Sequence, residues 1–485
     1  MGQLTGRWSR GAMLASLSLL AAGTAWAQEA GITVPEPTVD KGDVTWMMVS
    51  TMVVFLMIIP GLALFYSGLV RTKNALSVLM QVGTVTVIGM ILWALVGYSL
   101  AFTTGPTATL DQFIGGTARL FLNDAGTDLS DNLVATFSTG IYLPELVFVV
   151  FQMTFACITA SLVLGGLAER VKFTGVVLFA IIWPLLVYYP MAHMVWWWPG
   201  PDLVASGTPA VGGFIWNFGA LDFAGGTVVH INSGIAALVG AIVLGKRMGY
   251  KKEPMPPHSL MMVLIGTGLL WFGWFGFNAG SNLESNYYSV LAMANTFLAP
   301  AAAGFAWVMT EWLTRGKASL LGLCSGIVAG LVAVTPAAGF SGPVGAIILG
   351  LIAGPVCLFA CSALKSALGY DDALDVFGIH GIAGIIGAIG TGFLVNPAWG
   401  GAGVVDYVNC SEAGAVLSVC PVATYNLATQ VTAQIKGVLV TLVWSGVGSL
   451  IVFGVLKVLG LLRVKEEEEQ EGLDITAHGE AAYHS

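Results

Sequence analysis

DFAGGTVVHINSGIAALVGA (Asp222–Ala241) and DVFGIHGIAGIIGAIG (Asp375–Gly390) are two versions of one pattern. Each opens on an acidic residue, passes through a glycine-containing lead-in and reaches a histidine, His230 or His380. Each then sets a small residue before Gly-Ile at the same distance, Ser233-Gly234-Ile235 and Ala383-Gly384-Ile385. The two stretches fall in the fifth and tenth of eleven apolar runs, so five spans separate them and they point in opposite directions. That is the mark of inverted-topology repeats, whose solute path lies at the repeat interface near the membrane midplane. The eleventh run stands outside the repeat.

The rest of the chain agrees with a membrane setting. Apolar residues make up 56% of the 485 and charged residues 9%, whereas a soluble domain carries roughly a quarter charged. The 63 glycines suit helices that approach closely in lipid. The apolar runs are 44–69, 77–102, 141–165, 174–195, 224–246, 259–279, 288–313, 318–336, 343–366, 377–395 and 434–462. They are too long for strands, and open sheets leave unpaired backbone in lipid, so they are helices. The expected fold is an all-α polytopic membrane protein with 11 transmembrane helices, an inverted 5+5 repeat plus one C-terminal helix.

Orientation follows from the leader and the basic residues. Arg7 and Arg10 precede a short apolar stretch, Gly11–Ala22, ending in Ala25-Trp26-Ala27, the layout of a secretory signal peptide. Residues 1–27 are expected to be removed, leaving a periplasmic segment 28–43, a membrane domain 44–462 and a cytoplasmic tail 463–485. The N-terminus is then outside and the C-terminus inside. Basic residues gather where that topology puts the cytoplasm: Arg71, Lys73, Arg170, Lys172, Lys246, Arg247, Lys251, Lys252, Arg315, Lys317, Lys365, Lys457, Arg463 and Lys465. Lys41, Arg119 and Lys436 are assigned to the outer side. The location implied is the inner membrane, multi-pass.

Four cysteines fall within spans. Cys410 and Cys420 share the long outer loop before the last helix, where an oxidising compartment permits a bridge. A local disulfide is favoured over free thiols or a metal pair, since no histidines cluster there. The net charge of −8 argues against a nucleic-acid partner. It owes much to the tail run Glu466–Glu469 and Glu471, which on composition is a solvated acidic tail.

Ionisable residues inside a span are rare and usually face a pathway or one another. His230 and His380 at matching repeat positions therefore point to a pore. Neutral imidazoles in contact can share one hydrogen bond and still offer a donor and an acceptor to a small solute. Both sit early in oppositely directed helices, so the glycine-rich lead-ins must dip into the membrane if the two are to meet. Asp222 is open to two roles, a helix N-cap or an outer cation attractor and scaffold; Asp375 has the same two. Phe151 and Phe155 share a face of the third helix, as do Phe277 and Ser281 at the end of the sixth. Trp196 closes the fourth. An interfacial aromatic belt is the plain alternative to converging rings that bind a cation.

The segment Asp222–Arg247 resembles the signature of the ammonium transporter (Amt/Mep/Rh) family, and its Amt branch in particular. So do PGLALFYSGLVR from Pro60, FQMTFACIT from Phe151, AHMVW from Ala192, GWFGFNAGS from Gly273 and DVFGIHG from Asp375. The resemblance implies a homotrimer with one narrow hydrophobic pore per subunit. It implies an outer ammonium site at Phe155, Trp196 and Ser281, supported by Asp222. It further implies a gate of Phe155 and Phe277 with Phe151 nearby, a His230–His380 pore pair, and Thr335 as a weaker pore candidate. Trp197, Trp198 and the Pro/Gly-rich loop to Asn217 depart from the family pattern at the vestibule rim. Relatives of this kind take ammonium or methylammonium without any cofactor or metal. In many of them a PII-type signalling protein docks at the cytoplasmic face.

Moving an intact ion through an apolar pore costs on the order of tens of kcal/mol. Recruitment of ammonium, its deprotonation near the gate and passage of ammonia past the histidines avoid that cost. The expected function is thus an ammonium transporter or channel and not an enzyme. An ammonium sensor signalling through a PII-type partner is the alternative. A bis-histidine haem protein and a gas or water channel are further rivals. The first would carry a Soret band, and the second would have no use for the cation site.

Overall fold

The computed structural model describes residues 37–125, 132–207, 211–410 and 420–483; the expected leader 1–27 and most of 28–43 lie outside them. Among the described residues eleven helices are long and apolar enough to cross a membrane. They are α1 Lys41–Leu69, α2 Thr72–Phe102, α3 Glu145–Leu167, α4 Phe173–Trp196, α5 Gly226–Leu244 and α6 Leu260–Gly280. The rest are α7 Tyr287–Arg315, α8 Leu320–Ala337, α9 Pro343–Leu368, α10 Phe377–Leu394 and α11 Leu427–Val458. Ten of them start within a few residues of the expected runs. The eleventh starts earlier, at Leu427, and Lys436, assigned to the outer side, lies within α11 with its side chain exposed. Asn426, whose side chain accepts from the Thr429 N–H, caps the earlier start.

Small residues set how closely the helices pack. A Cβ on Gly234 of α5 would collide with the backbone of Gly381 in α10, and one on Gly384 would meet Ile231 and His230. Glycines of α8 and α9 do the same for α7: Gly330 abuts Pro300, and Gly354 abuts Ala303. Backbones in direct contact are how helices associate where lipid offers no hydrophobic drive.

At one face, called here the tail face, a buried ionic cluster joins four interhelical connections. Arg247 reaches Glu169 and Asp371, each at 2.8 Å, and Arg71 meets Glu169 at 3.0 Å. Arg170, fully buried, donates to the carbonyls of Gly245 and Ala168. Burial by itself would raise the Glu169 carboxyl, but Arg247 and Arg71 outweigh it and hold the group down at about 2, against its ordinary 4.5.

The acidic C-terminus is not the solvated tail its composition suggests. Two short helices, α12 Glu466–Glu471 and α13 Leu473–His478, fold back onto the tail face. Glu466 and Glu467 are exposed, but Glu469 is buried, accepts from the Met248 N–H at 2.7 Å and pairs with Arg463 at 2.8 Å. The Asp474 carboxylate accepts from the N–H groups of Leu76 and Ser77. It thus caps the first turn of α2 from almost 400 residues away in sequence. Asp474 supplies acceptors that a helix start needs, which composition alone does not reveal.

The opposite face, the loop face, carries a small sheet in which β1 Thr38–Val39 pairs parallel, and β2 Leu133–Ala135 antiparallel, with β3 Ile141–Pro144. Glu284 is buried there and accepts from the Phe137 and Ser138 N–H groups. Cys410 and Cys420 are joined by a disulfide, and the Tyr407 hydroxyl in the same connection donates to the Phe137 carbonyl at 2.9 Å.

Glu169→Gln removes one member of a buried charged network and is expected to lower stability by about 3 kcal/mol at neutral pH. Because the Glu169 carboxyl is depressed in the folded protein, its contribution is complete above 4.5 and fades as pH falls toward about 2. Unfolding of the purified protein as a function of pH should show the wild-type advantage over Glu169→Gln shrinking across that window.

Candidate functional site

α5 begins at Gly226 and α10 at Phe377, so His230 and His380 lie four and three residues in. At 1.5 Å per residue, each histidine is only about 5–6 Å from its helix start. Their rings nevertheless meet, with Nδ1 to Nδ1 at 3.2 Å and centroids 5.3 Å apart at 28°. Two oppositely directed helices can do this only if both begin near mid-slab. The non-helical lead-ins 218–225 and 369–375 cover the missing depth from either face.

A helix start inside an apolar slab leaves N–H groups without partners. Asp222 answers this for α5: its Oδ1 accepts from Gly225 and Gly226 at 2.9 and 2.6 Å, and its Oδ2 from Thr227 and Val228 at 2.8 and 3.2 Å. The Thr227 hydroxyl also donates to it. Gly225, at φ +114°, makes the turn into the helix. With five donors on it, this carboxylate is a cap, and it meets the lumen only through what it holds in place.

The counterpart in α10 is Asp372, and not Asp375 as the sequence pattern suggests. Asp372 lies 150 residues after Asp222, the offset that also relates His380 to His230 and Gly384 to Gly234. Its Oδ2 accepts from the Phe377 N–H at 2.7 Å, just as Asp222 accepts from Thr227. Asp375 sits in a left-handed conformation at φ +60° and pairs with Lys365 at 2.7 Å.

Around the histidines the lumen is apolar, lined by Leu62, Ile158, Leu162, Leu270 and Val328 among others. A neutral pair joined Nδ1 to Nδ1 leaves one Nε2 as acceptor and the other as donor. The Nε2 of His230 is buried without a protein partner among the described residues. Its ring stacks on Trp274 at 5.3 Å and 24°. Trp274 in turn donates from its indole to the Thr335 hydroxyl at 2.8 Å, and Thr335 donates to the Leu331 carbonyl. Thr335 therefore stands behind Trp274, one residue removed from the histidine. Trp274 was not singled out by the sequence reading, although its position one helical turn before Phe277 was the available signal.

Next to the His230 ring comes Phe277, with centroids 5.9 Å apart. Phe277 and Phe155 stack face to face at 4.1 Å and 17°, and both are fully buried. Phe151 meets Phe155 edge-on at 5.0 Å. Trp196 also meets Phe155 edge-on, at 5.7 Å, and its indole donates to the Asp222 carbonyl at 3.0 Å. Ser281 donates its hydroxyl proton to the Phe277 carbonyl at 2.7 Å, so its oxygen remains an acceptor. Ring contacts thus run in one file from Trp196 to Phe155, Phe277, His230 and His380, with Ser281 bonded to the Phe277 backbone one turn further along α6.

Comparison with known proteins points the same way. A sequence model described as the Ammonium Transporter Family matches residues 45–483. An ammonium transporter of Aquifex aeolicus (strain VF5) is 42% identical over 448 residues, covering 92% of this chain and 95% of the relative. One from Bacillus subtilis (strain 168) is 41% identical, covering 91% and 98%. Among solved structures, Mep2 of Saccharomyces cerevisiae aligns with a TM-score of 0.73 and 34% identity over 88% of this chain and 91% of its own. A protein described as a sensor Amt protein aligns at 0.76 with 27% identity, over 90% and 98%.

The backbone contact of α5 with α10 gives a direct test of this geometry. Gly234→Val forces a side chain into the Gly381 backbone and is expected to cost about 1–3 kcal/mol, read as a lowered unfolding midpoint. Gly268→Ala, at a helix position with open space around it, should leave the midpoint unchanged or raise it.

Proposed function

This chain belongs to the ammonium transporter family, and from that premise we propose how its pore handles the ion. Ammonium is recruited at a site made by Phe155, Trp196 and Ser281, with the rings supplying cation–π attraction and the Ser281 oxygen an acceptor. Asp222 contributes by holding the Trp196 indole and the start of α5. The stacked Phe155–Phe277 pair closes the path beneath, and deprotonation occurs there. Ammonia then passes His230 and His380 through the apolar lumen. Its proton either returns to the outside or crosses separately along the histidine pair.

The observation that carries this reading is the stacked phenylalanine pair seated directly against a histidine pair in an otherwise apolar lumen. A dry constriction of that kind opposes a bare ion by on the order of tens of kcal/mol, so the solute neutralises. The histidines are its polar stations.

The same reading assigns the loop face to the periplasm and the tail face to the cytoplasm of an inner-membrane protein, with the N-terminus outside after removal of 1–27. It includes assembly as a homotrimer and docking of a PII-type protein at the cytoplasmic face. A second reading, an ammonium sensor signalling through that partner, draws on the fold shared with the sensor Amt protein. It draws also on the tail segment packed against the connection after α5.

Ser281→Ala and Trp196→Leu test the outer site. Each should weaken the apparent affinity for methylammonium by about 0.5–1 kcal/mol, and by up to about 2 if the site is desolvated. The readout is the concentration dependence of uptake into proteoliposomes. Unchanged curves for both correctly folded variants would rule out recruitment at these residues.

A further inference from the structure

His193 lies in the last turn of α4, three residues before Trp196, and is fully buried. Its two ring nitrogens face two backbone carbonyls. Nδ1 is 2.9 Å from the oxygen of Ala101, near the end of α2, and Nε2 is 2.6 Å from the oxygen of Asp111, in the connection that follows α2. A carbonyl oxygen only accepts, so each nitrogen must carry a proton to bond. In either neutral tautomer one bare nitrogen would confront a carbonyl oxygen, lone pair against lone pair, at hydrogen-bond distance. The doubly protonated ring alone donates at both positions.

The surroundings suit that charge. The Asp111 carboxylate lies 3.9 Å from Nε2, and the Trp197 indole stacks on the imidazole at 5.6 Å and 19°, a geometry in which an aromatic face attracts a cation. From α2 the ring meets the Ala101 carbonyl and no charged side chain. From the segment 211–217, Gly213 comes so close to the His193 backbone carbonyl that a Cβ there would collide with it, and it brings no charge. Asp111 is the charged group that faces it. A buried charge is tolerable only when paired and hydrogen-bonded, and His193 has both kinds of partner.

We propose that His193 is held as an imidazolium and is a positioning residue for the outer ammonium site. It pins the end of α2 and the connection after it to the turn that presents Trp196, and it rests on the reading of that site given above. The His193 carbonyl accepts from the Trp197 N–H, so the ring and the tryptophan backbone move as one unit. Loss of one ring proton removes one of the two anchors. The turn then loosens, and the edge-on contact of Trp196 with Phe155 is no longer fixed. The positioning is complete while His193 is protonated and is lost as pH rises through its titration. Neither the phenylalanine gate nor the histidine pair is altered.

Solid-state NMR of the full-length protein in lipid bilayers, with ¹⁵N- and ¹³C-labelled histidine and methionine, reads the protonation state directly. His193 is the histidine followed by methionine in this sequence, so its signal is assignable without a variant. Both ring nitrogens should carry protons at neutral pH, and a single-proton tautomer there would overturn the proposal. In transport, His193→Gln should raise the apparent KM for methylammonium several-fold, with the maximal rate kept within about twofold. It should also flatten the pH dependence of KM when concentrations are expressed as the cation. An unchanged KM and pH profile would overturn the positioning role. If that variant does not fold, Asp111→Asn, which keeps the carbonyl and removes the counter-charge, should move the His193 titration to lower pH; an unmoved titration counts against the proposal. Insensitivity to Trp196→Leu would instead sink the outer-site reading and leave the NMR result standing.

Discussion

A helix that begins inside an apolar slab has up to four backbone N–H groups that neither lipid nor its own turns can satisfy. Two helices here, α5 and α10, begin that way, and much of the molecule is arranged around the cost. Asp222 accepts from four successive lead-in and first-turn N–H groups. Asp372, 150 residues later, accepts from Phe377. With those groups satisfied, both helix starts can sit near the midplane. That is what brings histidines from opposite ends of the repeat to 3.2 Å.

The contact has further consequences. A side chain at 234 would strike the Gly381 backbone, so glycine there lets the two backbones approach closely enough for the rings to meet. Trp274 covers one face of His230 and is itself fixed by Thr335, so the imidazole is held by packing as well as by its partner. The other side chains around the pair, among them Leu62, Ile158, Leu162, Leu270 and Val328, are apolar, and on the proposed reading a narrow apolar lumen with one donor and one acceptor favours a neutral solute. On the proposed reading the charge-bearing chemistry is displaced to the two ends. Aromatic rings and a serine oxygen stand at one, and a buried network of arginines, carboxylates and the returning C-terminal segment at the other.

Much of this was legible in the chain. Helix number and type were readable because lipid admits few backbone arrangements, and the histidines because a repeated pattern carried them. The phenylalanines, Trp196 and Ser281 were identifiable only through family resemblance, since an aromatic at a helix end is ordinarily a belt residue. What stayed hidden depended on distances along the chain. Asp375 stands nearer to the lead-in glycine and matches the pattern of Asp222 by eye, whereas the constant offset of 150 selects Asp372. The docked tail is not legible in a run of acids, because the N–H that Glu469 accepts from, on Met248, lies more than 200 residues earlier in the chain. Trp274 and the paired carbonyls around His193 are matters of tertiary contact, with at most a spacing to hint at them.

The central claim is that the histidine pair determines which species crosses. Purified His230→Asp and His380→Asp proteins in planar bilayers test it, with currents recorded in ammonium and in potassium across a range of voltages. A carboxylate in the lumen should let a cation pass, so both variants should lose ammonium-over-potassium selectivity. Their conductance should acquire a voltage dependence approaching 2.3 kcal/mol per 100 mV for each charge moved, a figure of about that size for any unit charge crossing the full potential. If both variants assemble normally and keep wild-type flux, selectivity and voltage response, the histidines are packing residues and the account of the pore is contradicted.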